Sequence, residues 1–336
     1  MKRNSLIVLP RAYLIAVLLS YLTSLDVVAQ QTLPRVGVLW PGGVSRYISA
    51  FNDGLRERGY VNGTTVTVHI SATNGDFDRA PRLAQELIAL KPDVIFAVPG
   101  PLAKAVVRAV DKTGKQTPIV VYADDPVEEG LVARAAHPTG NVTGIGDVQE
   151  PEFVTKLLQV LKEAVPTVSR VLYFEDPTWG PGGSRARKSR AAMKSGGRQL
   201  GITVLTSEIR SSDDIDLAFS EAVRRKVDGI VVAASVVVID NRARIIEQAA
   251  KLRLPAVYGD ELFAYDGGLI SYWTSITDMH KAAAGLVAKI LQGAKPGDLP
   301  VEYPTKFKLV VNLRTAKALN LSIPQSVLLQ ADEVLK

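Results

Sequence analysis

The sequence contains one β/α pattern twice, and this repeat constrains the fold more than any other feature. In the first half, short β-branched runs typical of strands alternate with longer amphipathic segments typical of helices. The predicted strands are RVGVLW (35–40), TVTVHI (65–70), DVIFAV (93–98) and PIVVYA (118–123), and the predicted helices are 46–59, 78–91 and 102–112. Continuous apolar strands separated by helices predict a parallel sheet that is covered on both faces.

The second half follows the same order. Its predicted strands are RVLYF (170–174), ITVLTSEI (202–209), GIVVAASVVV (229–238) and PAVYG (255–259), with helices between them. The spacing from Arg35 to Lys91 is the same as the spacing from Arg170 to Lys226. The period of this repeat, from Arg35 to Arg170, is too long for a solenoid. We therefore predict an α/β fold of two doubly wound parallel-sheet lobes joined by a hinge.

The end of the chain does not fit a simple tandem of two lobes. A long helix is predicted at 278–292, followed by a Pro/Gly-rich link and the strand FKLVVNL (307–313). These elements suit a chain that crosses back between lobes. We predict residues 33–145 with 276–304 as lobe 1, and 146–275 with 305–333 as lobe 2. Because open α/β sheets bind ligands outside the carboxyl ends of their strands, the cleft between the lobes is the predicted site.

Residues 1–29 have the pattern of a secretory signal peptide. Basic residues precede an apolar run at 12–22, and Val27-Val28-Ala29 offers a cleavage point after Ala29. The alternative is an uncleaved membrane anchor, but the run is shorter than the ~20 residues that a spanning helix needs. Cleavage lowers the net charge from +6 to +4, because three basic residues and Asp26 are removed.

Composition excludes several kinds of chemistry. The chain has no cysteine, which excludes disulfides, thiolate metal sites and a lipid anchor on an N-terminal cysteine. Its three histidines (His69, His137 and His280) are far apart, which argues against a histidine-based metal site. The densest basic stretch, RARKSR at 185–190, is predicted to be a solvated helix face. We therefore predict no metal, no cofactor and no nucleic-acid partner.

Catalytic motifs are also missing. There is no Walker lysine pattern and no GxSxG elbow, and the glycine-rich segment 140–146 lacks the GxGxxG spacing. We interpret 140–146 as a flexible crossover between lobes. The carboxylates at 213, 214 and 216 are predicted to cap a helix and line its first turn.

Asp124 and Asp125 are different, because they follow a buried strand and precede Pro126 and a predicted helix, and Asp260 holds the matching place in the second half. Three roles are open for these acids: turn formation, contact with a ligand amine, or glycosidase catalysis.

Aromatic residues also end predicted strands or lie in the loops after them: Trp40, Trp179, Tyr122, Tyr258 and Tyr272-Trp273. They either pack the core or enclose a small ligand between flat rings.

Seven phrases in order make the sequence resemble a known family. They are RVGVLWPG, FNDGLRERGYVNGTTVTV, GDFDRAPRLAQELIALKPDVI, DDPVEEGLVARAAHPTGNVTGI, LLQVLKEAVPTVSRVLYF, LPAVYGDELFAYDGGLISY and AKPGDLPVEYPTKFKLVVNLRTAKALNLSIPQSVLLQADEVL. They cover essentially all of residues 35–335. The chain resembles the tryptophan/tyrosine-type substrate-binding proteins of ABC transporters, which have the type 1 periplasmic-binding fold.

The resemblance implies a hinged binder and not an enzyme. Such a protein delivers a small solute, here an amino acid or an amino-acid-like molecule, to an ABC permease in the inner membrane. We expect the protein to be a monomer. We also expect it to be free in the periplasm, because the chain has no cysteine for a lipid anchor. The alternative function is a periplasmic ligand-sensing module for a membrane signalling partner. A hydrolase is a third possibility, and turnover that depends on Asp124 or Asp125 would support it.

The family's ligand loops are matched onto this sequence position by position. The expected ligand-binding residues are Trp40, Pro41, Gly42, Pro99, Gly100, Pro101, Asp124, Asp125, Trp179, Ser235, Tyr258 and Asp260. The sequence departs from the family pattern at two places. At 99–102 the usual hydroxyl side chain is missing, and Trp179 stands where a smaller polar residue is expected.

Overall fold

The computed structural model describes residues 32–43, 45–147, 153–179 and 181–336. The predicted signal peptide, residues 1–29, lies outside these ranges. Residues Pro34–Lys336 form one compact unit. Within the described ranges, no helix has both the length and the apolar character needed to cross a membrane.

The first sheet is built from the first five strands, all parallel, in the order β2-β1-β3-β4-β5. The strands are β1 (Arg35–Trp40), β2 (Thr67–Ala72), β3 (Val94–Ala97), β4 (Ile119–Ala123) and β5 (Val142–Gly146). Every residue of β3, β4 and β5 is buried, as the continuous apolar runs of β3 and β4 predict. We call this sheet and the helices packed on it the first lobe.

The second sheet has seven strands in the order β12-β11-β10-β9-β8-β6-β7. They are β6 (Arg170–Glu175), β7 (Thr203–Glu208), β8 (Gly229–Val232), β9 (Ala256–Tyr258), β10 (Ile270–Thr274), β11 (Phe307–Asn312) and β12 (Glu333–Leu335). The strands from β6 to β10 are parallel, while β11 runs antiparallel to β10 and carries β12 parallel to itself. The second sheet and its helices form the second lobe, and the predicted two-lobed α/β fold is confirmed.

Twelve α-helices lie in the described ranges. They are α1 (Ser45–Arg56), α2 (Ala80–Ala89), α3 (Gly100–Asp111), α4 (Val154–Ala164), α5 (Ser184–Leu200), α6 (Ser212–Arg224), α7 (Val236–Asp240), α8 (Arg242–Lys251), α9 (Glu261–Tyr265), α10 (Ile276–Leu291), α11 (Leu313–Ala318) and α12 (Gln325–Gln330). Helix α10 follows a strand of the second sheet but packs into the core of the first lobe, where Met279 and Val287 meet Phe51 and Phe96. The chain therefore crosses between the lobes more than once, and the lobe boundaries given above stay a prediction.

The predicted strand 229–238 is wrong in its second half. Strand β8 ends at Val232, and Ser235 caps helix α7 by accepting a hydrogen bond from the Val238 N–H at 3.4 Å. The Ala233 N–H still reaches the Phe174 carbonyl at 3.0 Å, but beyond it the chain leaves the sheet. The run of valines favours a strand locally, and the serine cap together with packing in the second lobe overrides that preference.

The glycine-rich segment 140–146 is not a flexible crossover. Its residues 142–146 form β5, a buried strand that pairs with β4 in parallel register, with Gly144 opposite Val121. A Cβ atom at Gly144 would overlap the Val121 carbonyl oxygen. The glycine is there because β4 and β5 approach closely, so the segment belongs to the core of the sheet.

This packing predicts that Gly144→Ala lowers the free energy of unfolding by about 2–3 kcal/mol, because the added methyl group overpacks a buried strand pair. Urea denaturation of the purified protein measures the change. Gly196→Ala, on helix α5, is the matched control. Its Cβ would have Thr155 Cγ2 as its nearest neighbour, at 3.2 Å, and alanine favours the helix. Equal stability of the two variants would contradict the account of β5.

Two further expectations need correction. No helix follows Asp125; instead, its Oδ1 accepts hydrogen bonds from the Val127 and Glu128 N–H groups at 2.9 and 3.0 Å and forms a turn. The basic stretch 185–190 is not a purely solvated face, because Arg185 is 6% exposed and Ser189 is fully buried. In contrast, Asp214 lies in the first turn of α6 as predicted and completes a capping box with Ser211.

Candidate functional site

A cavity of about 180 Å³ lies between the two lobes, and a second cavity of about 570 Å³ shares several of its walls. We call them the inner pocket and the outer pocket. The inner pocket is lined mainly by the carboxyl ends of strands and the loops that follow them, and partly by residues of neighbouring helices. Its first-lobe walls include Trp40, Tyr47, Pro99, Tyr122 and Asp124, and its second-lobe walls include Trp179, Ala234, Ser235 and Trp273.

His280 of helix α10 lies at the centre of an aromatic cluster at the pocket wall. Its ring stacks on Tyr47 at 5.4 Å between centroids and meets Trp40 and Tyr122 edge-on at 5.5 and 5.2 Å. Burial lowers the pKa of His280 to about 4, so the imidazole is neutral at pH 7. Its Nδ1 lies 2.8 Å from the Ile276 carbonyl oxygen and therefore donates. Nε2 is then an acceptor, and it has no hydrogen-bond partner among the described residues.

Asp124 is an acid of the inner pocket whose pKa is strongly raised. It follows β4, is partly buried, and accepts a hydrogen bond from the Trp179 side chain. Burial, together with the nearby Glu129 and Asp147 carboxylates, raises the pKa of Asp124 to about 7, although Arg185 and Trp179 act in the opposite direction. A perturbed carboxyl group in a cleft marks a functional site, and a cationic group placed beside it would favour its ionised form.

Two other carboxylates line the same pocket. Asp147, which follows β5, accepts hydrogen bonds from Thr274 Oγ1 at 3.0 Å and from Trp273 Nε1 at 3.4 Å. Asp240 ends helix α7 and is exposed at the border with the outer pocket. No group of three or more His, Asp or Glu side chains in the described part of the chain is arranged to hold a metal ion.

Polar contacts between the lobes flank the pocket. Tyr47 of α1 donates a hydrogen bond to the buried Asp260 carboxylate at the start of α9. Burial raises the pKa of Asp260 to about 6, while the hydrogen bonds from Tyr47 and the Leu262 N–H act to lower it. On the other side, Arg185 of α5 pairs with Asp125 at 3.1 Å and Glu128 at 2.7 Å. These contacts hold the two lobes together around the inner pocket.

The structure brings most of the sequence-predicted residues together. Seven of them line the inner pocket: Trp40, Pro41, Gly42, Pro99, Asp124, Trp179 and Ser235. Gly100 and Pro101 line only the outer pocket. Asp125 and Asp260 form the contacts between lobes just described. Tyr258 lies in the core of the second lobe, where its ring stacks on Phe263 at 4.3 Å, and it lines neither pocket.

Sequence reasoning missed several residues of the inner pocket, including Tyr47, Asp147, Asp240 and His280. Asp147 follows a buried strand, as Asp124 does, but the glycine-rich sequence of β5 predicts a flexible crossover and not a strand. Asp240 follows a run of valines that predicts a strand, whereas the structure places it at the end of helix α7. Tyr47 and His280 lie inside helices, where no sequence pattern distinguishes a pocket wall from a core position.

Over residues 41–335, the sequence matches the family described as "ABC transporter substrate binding protein". The chain belongs to this family. It is therefore a solute-binding protein of an ABC transporter and not an enzyme. Family membership agrees with the site, in which residues of both lobes line the inner pocket.

Relatives of this ABC transporter substrate-binding protein include a tyrosine-binding protein from Clostridioides difficile (strain R20291). The two are 24% identical over 274 residues, which cover 81% of this chain and 75% of the relative. A conserved domain protein from Vibrio cholerae has a similar structure, with a TM-score of 0.77, 25% identity, and coverage of 90% of this chain and 100% of that one. The ABC domain from Streptococcus pneumonia, solved in complex with L-Trp, gives a TM-score of 0.76 at 24% identity with the same coverage.

Proposed function

We propose that this substrate-binding protein captures a small, amino-acid-like solute, with an aromatic ring and an amino group, in the inner pocket. The observation that carries the proposal is the composition of the pocket wall, in which aromatic side chains surround a space bordered by Asp124. A cavity of about 180 Å³ suits one aromatic ring, since a cavity of about 150 Å³ holds benzene. The names of the relatives that bind tyrosine and tryptophan support the same class of solute.

The proposal extends to the site of action and the partner. We propose that residues 1–29 direct export, that the protein works in the periplasm, and that its lobes close on the solute by a hinge motion. The closed form then presents both lobes to the ABC permease. The contacts made by Tyr47 and Arg185 support this mechanism, because each joins one lobe to the other beside the pocket. Binding and lobe closure are coupled when the solute touches both walls.

Tryptophan fluorescence provides a direct test. The chain has three tryptophans, and all of them, Trp40, Trp179 and Trp273, line the inner pocket. We expect aromatic amino acids or amines to change the intrinsic emission saturably. At about 100 times its dissociation constant, the solute adds about 2.7 kcal/mol to the free energy of unfolding, which raises the thermal midpoint. Excitation at the red edge of tryptophan absorption avoids phenyl and phenol solutes, whereas indole solutes emit like the protein itself and are followed by the thermal midpoint alone.

Small sugars are the matched negative panel, because they have neither an aromatic ring nor a charged amine. A saturable response to a sugar, with none to any aromatic amino acid or amine, would contradict the proposal. A change in emission without any rise of the thermal midpoint would also count against it, since binding to the native state alone must stabilise that state.

A further inference from the structure

We infer that the solute is an aromatic amine that lacks a carboxylate, rather than a free amino acid. The inference rests on the proposed function and narrows its solute class. It follows from where acceptors, donors and paired charges lie around the two pockets.

The charged side chains that line the inner pocket all have the same sign. They are Asp124, Asp147 and Asp240, and no Lys or Arg is among the described lining residues. An ammonium group matches these carboxylates, since charge-assisted hydrogen bonds to carboxylates are the stronger kind. A solute carboxylate in the same pocket would face like charges instead, an arrangement that strongly disfavours binding.

The start of helix α3 is one place where a solute carboxylate could be attracted, because the helix dipole is positive there, although the Leu102 and Ala103 N–H groups already bond to the Pro99 carbonyl. In this protein the Glu129 carboxylate already lies at that point: a Cβ atom at Gly100 would overlap it. Glu129 is largely covered, with 10% of its side chain exposed, and it pairs with Lys104 of α3 at 3.0 Å. The protein's own carboxylate therefore takes the position that an amino acid's carboxylate would need.

The other cations near the cleft are also paired. Arg185, whose side chain is 8% exposed, binds Asp125 and Glu128 and lines neither pocket. Arg210, at the outer pocket, pairs with Glu208 at 2.5 Å. Each of these cations already has a carboxylate partner, so a solute carboxylate would have to share it with a side chain of the protein. An amine without a carboxylate needs no cation from the protein.

The uncharged polar groups of the inner pocket include the Tyr122 and Ser235 hydroxyls, which can donate or accept, the indole N–H groups and His280 Nε2. Trp179 and Trp273 direct their indole N–H groups to Asp124 and Asp147, so these donors are already used. His280 Nε2 is buried at the pocket wall and accepts but does not donate. A ring that carries an N–H or O–H group, such as an indole or a phenol, would satisfy it. The pocket therefore fits a solute that has hydrogen-bond donors and positive charge but no anionic group.

Calorimetric titration of the purified protein with matched pairs tests this inference. The pairs are tryptamine and tryptophan, tyramine and tyrosine, and phenethylamine and phenylalanine, which differ only in the carboxylate. We expect the amine of at least one pair to bind about 100-fold more tightly than its amino acid. If every amino acid that binds does so as tightly as its amine, or more tightly, this inference is wrong and the proposed function stands. If no member of any pair binds, both are wrong.

A variant tests the role of Glu129 separately. Glu129→Gln removes the charge at the start of α3 and frees Lys104, so we expect amino-acid affinity to rise about tenfold while amine affinity changes less than about threefold. Glu86→Gln, in an exposed pair with Arg82, is the control and should change neither affinity. An unchanged ratio between amine and amino acid in Glu129→Gln would overturn the argument that Glu129 excludes the carboxylate.

Discussion

Replacing Asp124 by Asn is expected to weaken binding of the amine solute about 100-fold, equivalent to about 2.7 kcal/mol, because a partly buried ammonium loses its charged partner. Asn keeps the size of the side chain and an oxygen that accepts the Trp179 hydrogen bond. Asp240→Asn is the matched comparison. Asp240 is more exposed than Asp124, and although partial burial also raises its pKa, water screens its charge more and the expected loss is less than about tenfold. Calorimetric titration measures both affinities.

The same substitution should stabilise the protein measured without solute. The folded-state pKa of Asp124, about 7, is above the usual value of an aspartate. The Asp124 carboxyl group therefore contributes most to the free energy of unfolding at low pH, where it is protonated in both the folded and the unfolded state. This contribution is lost as the pH rises through 7. At pH 8 Asn avoids this loss, and after allowance for partial exposure we expect a gain of about 1–2 kcal/mol in the free energy of unfolding. A variant that loses affinity because it is damaged would lose stability instead.

Solute affinity should depend on pH for the same reason. Burial is the largest cause of the raised pKa of Asp124; of the side chains that face it, Glu129 and Asp147 raise the pKa further, and Arg185 and Trp179 lower it. An ammonium group binds the ionised carboxylate, so amine affinity should rise about tenfold from pH 6 to pH 8 as a group with a pKa of about 7 loses its proton. In Asp124→Asn this rise should disappear. An equal pH dependence in the wild type and the variant would show that another group controls binding.

Ala234→Phe is expected to abolish detectable binding, a loss of more than about 100-fold, because the added phenyl ring fills most of the inner pocket. A cavity of about 150 Å³ holds one benzene, and the inner pocket measures about 180 Å³. Val237→Phe is the matched control, since Val237 lines only the outer pocket of about 570 Å³. It should leave affinity within about fivefold of the wild type, because the larger pocket accommodates the ring.

Fluorescence titration and thermal unfolding of both variants separate the possible outcomes. Ala234→Phe should keep the cooperative unfolding transition of the wild type while it loses the response to solute. If Val237→Phe abolishes binding and Ala234→Phe does not, the solute occupies the outer pocket and our assignment of the inner pocket is wrong.

The two lobes can be predicted from the sequence because the strands and helices of each lobe have recognisable local patterns. The repeat at 35–91 and 170–226 marks two series of buried strands and amphipathic helices, and strand ends in parallel sheets meet at one edge. That rule is enough to place Trp40, Pro99 and Asp124 near one another. The antiparallel direction of β11 and the helix at 236–240 cannot be predicted from local patterns, because both depend on packing between distant segments.

The pocket itself depends on contacts across the two lobes, which no local pattern contains. Tyr47 and His280 lie near opposite ends of the chain, and only the packing of α10 on the first lobe brings their rings together. Likewise, the sequence around Glu129 indicates only an acidic residue in a surface turn. Its role at the start of α3 depends on the close approach of Gly100, which the sequence does not reveal.

A crystal structure of the protein with tryptamine tests the central claim most directly. The account predicts that the indole lies in the inner pocket beside Trp40, Trp273 and His280, with the ammonium nitrogen about 3 Å from an Asp124 carboxylate oxygen. Glu129 should remain paired with Lys104 at the start of α3. A tryptamine molecule in the outer pocket, or one whose ammonium group contacts no carboxylate of the inner pocket, would contradict the account.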